Sequence, residues 1–185
     1  FGAVPGLTIA APMNEPELRN MMYTALGSGH PFMIRYPRGH GEGLPWRGEK
    51  FETLPVGRGR RLREGADVAL LTVGTVGNAR AAGRAAAEGV SVAHYDLRFV
   101  KPLDEALLDE VGRKFRRVVT VEDGSLRGGV GEAVAAFFNG RGYDVRVQRL
   151  GIGDEWVEHG TPGQLYALCG YDEEGILRAL LDTRA

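Results

Sequence analysis

A single cysteine, Cys169, stands among 185 residues. That excludes an internal disulfide and a cysteine-cluster metal site; on a helix it serves as a small apolar residue. Charge of one sign is missing too: 23 Lys and Arg face 24 Asp and Glu, for a net charge of −1. A general nucleic-acid binder carries a clear positive excess, so that class is set aside. No apolar run comes near the roughly 20 residues that span a bilayer, and no leader-like segment is visible. The expectation is a cytoplasmic protein with no membrane and no nucleic-acid partner. The four histidines, His30, His40, His94 and His159, show no metal-ligand spacing. There is no internal repeat and no low-complexity tract.

What is present is a good core former: 43% of residues are hydrophobic, which argues against disorder. The length suits one domain, or one domain plus a piece of another. The first residue is Phe1, and the chain runs almost at once into the apolar stretch Gly6 to Pro12. The expectation is a segment of a longer protein whose remainder lies upstream.

The opening segment reads β-α-β. A strand over 7–10 ends at Pro12. Asn14 caps a helix that carries Pro16 in its first turn and Glu15 and Glu17 at the positive end of its dipole. Leu18, Met21, Met22 and Ala25 fall at helical spacing and are expected to face a core. Gly27 and Gly29 end the helix, and Phe32–Ile34 reads as a buried strand. Two strands and one helix cannot cover both faces of a sheet, so this segment needs further partners. Residues 37–60 are rich in Gly and Pro and read as a surface connection, pinned by Trp46 and Phe51. From about residue 60 the pattern is regular. It gives an edge strand at 60–63 and a strand buried on both faces at 68–73. An alanine-rich helix follows at 77–88, then strands at 90–95, 118–121 and 145–150. Further helices are expected at 104–115, 131–139, 162–169 and 173–182. The expected fold class is α/β, with a mostly parallel sheet flanked by helices.

Ile34-Arg35-Tyr36-Pro37-Arg38-Gly39-His40-Gly41 carries the strongest chemical signal. Two arginines stand three positions apart just beyond a strand, with Pro37 stiffening the backbone between them. Guanidinium matches phosphate in two-pronged geometry, and open α/β sheets bind ligands at the carboxyl ends of their strands. A solvated basic loop is the competing reading, and spacing alone leaves both open. Thr72 to Gly77 lacks the third glycine of a dinucleotide fingerprint and reads as a tight turn. Glu122-Asp123 followed by Gly128-Gly129-Val130-Gly131 offers free amides at a helix start, although close helix–sheet packing explains the glycines better. The charges of Asp96 to Asp104 are expected to pair among themselves at a domain edge, with Arg98 and Lys101 reaching a partner subunit as the other reading. His159, in Glu158-His159-Gly160, reads as a loop histidine.

These words, in this order, resemble the 1-deoxy-D-xylulose-5-phosphate synthase family of transketolase-like enzymes. They are Pro5-Gly6-Leu7, Glu17-Leu18-Arg19, Arg35-Tyr36-Pro37-Arg38-Gly39, Asp67-Val68-Ala69, Arg98-Phe99-Val100-Lys101-Pro102-Leu103-Asp104, Gly128-Gly129-Val130-Gly131 and Glu158-His159-Gly160. The resemblance implies that residues 1–45 end a pyrimidine-binding domain, 46–57 form a linker, and 58–185 are a transketolase C-terminal domain. It implies thiamine diphosphate and Mg²⁺ held by upstream parts of the protein, so that the chain alone is inactive. No catalytic, cofactor-binding or metal residue is carried onto this chain. By resemblance Arg38 faces the phosphate of glyceraldehyde 3-phosphate, with Arg35 and Tyr36 as neighbours in packing and orientation. The implied reaction joins pyruvate to that acceptor with loss of CO₂, in a homodimer that includes the N-terminal part of the same enzyme, on a route to isoprenoids and thiamine. The alternatives are the beta subunit of a 2-oxo acid dehydrogenase decarboxylase and a non-catalytic dimerisation or binding module.

Overall fold

The computed structural model describes residues 1–76 and 79–182. The chain runs β1 (Thr8–Ala10), α1 (Glu15–Gly27), β2 (Phe32–Ile34), β3 (Arg60–Arg63), β4 (Val68–Val73), α2 (Ala79–Ala87), β5 (Val92–Asp96), β6 (Phe99–Lys101), α3 (Glu105–Lys114), β7 (Arg117–Ser125), α4 (Val130–Gly140), β8 (Arg146–Ile152), α5 (Pro162–Leu168) and α6 (Glu173–Leu181). The described residues form two sheets. The larger has the order β3-β5-β4-β7-β8. It is parallel except for β3, which lies antiparallel on the β5 edge.

β4 is the centre of that sheet because every one of its side chains can be buried. Its alternation sends Ala69, Leu71 and Val73 to one face, among Leu108, Val111, Val134 and Phe138 of α3 and α4. Val68 and Leu70 go to the other, among Ala81, Ala82 and Ala85 of α2 and Ile176 and Leu180 of α6. A continuous apolar run thus becomes a strand sandwiched between two helical layers. The expected start of α2, at residues 77 and 78, lies outside the described residues.

The smaller sheet has the order β2-β1-β6. β1 pairs with β2 in parallel and with β6 antiparallel. β6 comes from the second half of the chain, so part of the cover for the opening segment is supplied from within. No strand was expected there, because Phe99-Val100-Lys101 is short and set among charges. Phe99 is wholly buried with Ala10, Met21 and Leu54, and meets Phe32 edge-on at 6.4 Å between ring centroids. β2 is only half-buried, against the expectation of a buried strand. The helix face also differs from the expected one. α1 buries Glu17, Met21 and Thr24, while Met22 stays exposed. Polar side chains take core positions here because each has a partner inside. The Thr24 hydroxyl, for example, accepts the Leu54 N–H at 2.8 Å.

Residues 35–59 have no regular structure and are pinned at several points. Phe51 stacks on Tyr23 with centroids 5.0 Å apart, and the Arg19 guanidinium lies 3.8 Å over the Phe51 ring. The end of the segment is tied by Asp104, the N-cap of α3, whose carboxylate accepts the Leu107 N–H, the Gly59 N–H and an Arg58 N–H.

Candidate functional site

The Arg-Tyr-Pro-Arg loop leaves the carboxyl end of β2, where the Arg35 N–H still donates to Ala10 O at 2.8 Å. It then passes the carboxyl end of β4. Two adjoining hollows form there, with Tyr36, Pro37 and Thr75 shared between them. The inner one, about 70 Å³, is bounded by Arg35, Tyr36, Thr75 and Asp123. The outer one, about 510 Å³, is lined by Tyr36, Arg38, His40, Asn14, Thr75 and Tyr166. Arg38 and Tyr36 thus share one cleft, while Arg35 points away from it toward β7. A methyl group at Gly124 would sit 3.5 Å from Arg35 Nη1 and 3.5 Å from Glu122 Oε2. The absent side chain at Gly124 lets the guanidinium settle over the strand beside the carboxylates.

Arg38 is exposed and makes no hydrogen bond or ion pair among the described residues. The outer cleft therefore contains a fixed positive charge with unused donors. That is what an anion site requires.

The Glu122-Asp123 pair divides its work. Glu122 turns inward and accepts the Val130 and Gly131 N–H groups, both at 2.8 Å, at the start of α4. The helix terminus that the sequence offered to an anion is thus occupied by the protein's own carboxylate. The glycines are part of that arrangement, since a methyl at Gly129 would lie 2.5 Å from Glu122 Oε2. Asp123 turns the other way. It accepts the hydroxyls of Tyr171 at 3.0 Å and Tyr166 at 3.4 Å, whose rings lie 5.0 Å apart. Burial, and next the Asp123 charge, push both tyrosine hydroxyls above their ordinary pKa, so they stay protonated as donors. Neither tyrosine was singled out in sequence; the only signal was Asp123 itself, beside a residue with a clearer role.

A second cluster joins the two sheets behind the cleft. Arg98 grips Glu17 with two bonds, Nε to Oε2 at 2.9 Å and Nη2 to Oε1 at 2.8 Å. Arg60 bridges Glu17 at 3.1 Å and Asp96 at 3.2 Å. Asp96 also accepts the Arg98 N–H. Burial pushes the Asp96 carboxyl up, opposed chiefly by Arg60. Arg98 is held at φ 57°, in the left-handed region that disfavours a side chain, by this network on both sides. The charges of this stretch were expected to pair among themselves; instead Arg98 pairs with Glu17 of α1, Asp96 with Arg60 and Asp104 with Arg58. Lys101 likewise reaches back, donating to Gly2 O and Val4 O.

Of the histidines, His30, His40 and His159 are exposed. His94 is buried, with Nε2 2.9 Å from the Thr72 hydroxyl, and burial lowers its pKa to about 4, with Arg63 adding to the effect. No group of three or more His, Cys, Asp or Glu among the described residues is placed to hold a metal ion. Among them, too, no helix is long and apolar enough to cross a membrane.

The profile described as "Transketolase, C-terminal domain" matches residues 57–176. The chain belongs to the transketolase C-terminal domain family. The match runs from just before β3 into α6. Across nearly its whole length the chain is also homologous to 1-deoxy-D-xylulose-5-phosphate synthases. It is 53% identical to that of Bacteroides fragilis over 98% of the chain and 28% of the relative. It is 43% identical to that of Symbiobacterium thermophilum over 94% of the chain and 27% of the relative. The chain thus spans just over a quarter of the curated relatives it matches. Among solved structures it resembles a split gene transketolase, described as an inactive beta4 tetramer. There the TM-score is 0.84 at 28% identity, covering 97% of this chain and 58% of that one. A transketolase from Campylobacter jejuni shares the fold, with a TM-score of 0.68 at 15% identity, over 98% of this chain and 27% of that one.

Proposed function

We propose that this chain serves as the acceptor-side and C-terminal part of a 1-deoxy-D-xylulose-5-phosphate synthase. That enzyme joins pyruvate and glyceraldehyde 3-phosphate to 1-deoxy-D-xylulose 5-phosphate and CO₂. Two findings support the reading. The chain is about half identical to such synthases over 98% of its length. And Arg38 stands in an open cleft with its donors unused. The observation that carries the residue assignment is the second.

Thiamine diphosphate supplies the carbanion chemistry in this enzyme family, with Mg²⁺ on its diphosphate. Both would be held by the remainder of the synthase. What this chain contributes is position. Arg38 holds the acceptor's phosphate, which does not react, and that binding energy orients the aldehyde carbon. Tyr36, beside it in the cleft, limits how the acceptor lies. Arg35 lies over β7 beside Gly124. The cleft is built from both sheets, so the two halves of the chain act as one unit.

The test is a chimera in which this chain replaces the corresponding stretch of the Bacteroides fragilis synthase. Arg38→Ala is expected to raise KM for glyceraldehyde 3-phosphate at least about tenfold, the lower end for one charge-assisted contact. Pyruvate decarboxylation should hardly change. An unchanged KM for the phosphorylated acceptor would sink the assignment, and a chimera without acceptor-dependent CO₂ release would sink the reading as a whole.

A further inference from the structure

The loop that carries Arg38 continues over Gly41-Glu42-Gly43-Leu44, and what holds it down is a carboxylate. Glu15 lies in the first turn of α1, and its Oε1 accepts the Gly43 N–H at 2.7 Å. Its own backbone N–H, and then those of Gly43, Glu42 and Leu44, favour the charged form and hold its carboxyl below the ordinary glutamate value, against an opposing effect of burial. The loop wraps so tightly that a methyl at Gly41 would collide with the carboxylate. Gly43, at φ 78°, supplies the left-handed turn that aims its amide inward. Glycines at 41 and 43 thus have a common cause: they let backbone close around one side chain.

The remaining oxygen is the informative one. Glu15 Oε2 is buried and accepts no hydrogen bond among the described residues. A buried carboxylate oxygen left without a donor is costly, and it stays where a further donor comes within reach. The amides of Glu42 and Leu44 already face this group. The Glu15 side chain also lines the cleft that contains Arg38.

We propose that Glu15 is a positioning residue for acceptor binding. It clasps the 41–44 backbone to α1, and so fixes where Arg38 presents its guanidinium. Oε2 is the acceptor that takes a second loop amide as the loop draws in on the phosphate. This rests on the reading of Arg38 as the phosphate-holding residue.

The experiment uses the full-length chimera and two readouts. The first is hydrogen exchange at the 42–44 amides. Glu15→Ala should speed exchange at Gly43 at least about tenfold, Glu15→Gln should have a smaller effect, and Arg38→Ala should have none. The second is acceptor kinetics. Glu15→Ala should raise KM for glyceraldehyde 3-phosphate about tenfold and leave pyruvate decarboxylation unchanged. Adding Glu15→Ala to Arg38→Ala should raise KM no further, because Glu15 acts through that arginine. Unchanged Gly43 exchange in Glu15→Ala overturns the clasp whatever Arg38 does. Faster exchange with an unaltered KM reduces Glu15 to a structural role and overturns its positioning one. If instead Arg38→Ala leaves KM unchanged while Gly43 exchange still depends on Glu15, the phosphate reading has failed and the clasp alone survives.

Discussion

The Glu17 cluster permits a quantitative test of what holds the two sheets together. Its four charges, Glu17 and Asp96 against Arg98 and Arg60, cancel to zero. Glu17→Gln keeps the shape and leaves one uncompensated positive charge. The Glu17 and Arg98 side chains are only 7% and 14% exposed, so water screens their pair weakly. Breaking one partner of a buried ion pair costs about 3–5 kcal/mol. The Arg60 contact is discounted, since Arg60 is about a third exposed and its pairing there is screened. The new amide also still offers a carbonyl to one guanidinium. Both corrections place the loss at the lower end, about 3 kcal/mol.

Urea unfolding followed by circular dichroism measures this directly. At 2–4 °C per kcal/mol for a domain of this size, the melting midpoint should fall by roughly 6–12 °C. The paired change Glu17→Met with Arg98→Met removes both charges together and leaves Arg60 with Asp96. It should recover more than half of the loss, because apolar groups of similar volume replace a buried pair at little cost. A loss below about 1 kcal/mol for Glu17→Gln would show that the network is solvated in practice. A double variant less stable than the single would show that the charges are net stabilising as a set. Either result refutes the reasoning.

Other outcomes follow from single sites. His94 titrates near 4 in the fold against an ordinary 6.5, so the unfolded chain binds its proton first as pH falls. Stability is full above 6.5 and declines between there and about 4, by about 3 kcal/mol at 1.36 kcal/mol per unit. His94→Leu should flatten that part of a pH series of urea midpoints, and an equally steep decline in the variant would remove His94 as the cause. Gly129→Ala drives a methyl into the Ser125 carbonyl and the Glu122 carboxylate and should cost roughly 3–6 kcal/mol, the value of two hydrogen bonds to a charged group. A midpoint within error of the parent would show that the Ser125 backbone and the Glu122 carboxylate both yield freely. Gly65→Ala should be at least as damaging by the same assay, because there the methyl meets the backbone of Val92 and Ala93, which cannot swing away; a neutral effect would mean that the β5 edge yields.

The larger sheet was legible because its signal is local. Val68–Val73 is apolar at every position, and only a strand covered on both faces accepts that run. The start of α1 was legible for a similarly local reason, in Asn14, which accepts the Glu17 N–H; Asp104, Thr161 and Asp172 cap α3, α5 and α6 in the same way, though only the structure identified them as caps. What escaped was set by contacts far apart in sequence. Periodicity assigned α1 a face of Leu18, Met21, Met22 and Ala25, yet the helix buries Glu17 and Thr24 with Met21 and leaves Met22 exposed, and Glu17 has its partner in Arg98, 81 residues away. β6 escaped because three residues carry too little pattern. Its existence depends on β1 being available to pair with it. The site shows the same division. The arginine word was visible at once, while the tyrosines on Asp123 and the carboxylate under Gly41 required folded geometry.

That division bears on how the cleft works. Arg38 belongs to the opening segment, as do Asn14, Glu15, Tyr36 and His40 around it, but part of the wall does not. Thr75 follows β4, Tyr166 lies on α5, and the Gly124 platform under Arg35 belongs to β7. The opening segment is fastened to those walls by Glu17 on Arg98, by β1 on β6 and by Leu54 packed with Phe99. A cleft assembled from two such halves keeps its dimensions only while the fastenings hold. Weakening the Glu17 cluster should therefore affect the arginine loop before it unfolds the larger sheet, whose two core layers contain no residue of α1. In the chimera, Glu17→Gln should raise KM for glyceraldehyde 3-phosphate at temperatures well below the melting midpoint. The effect should be absent for pyruvate decarboxylation. Equal losses in both steps, appearing only as the protein melts, would show that the cluster contributes stability and nothing to the site.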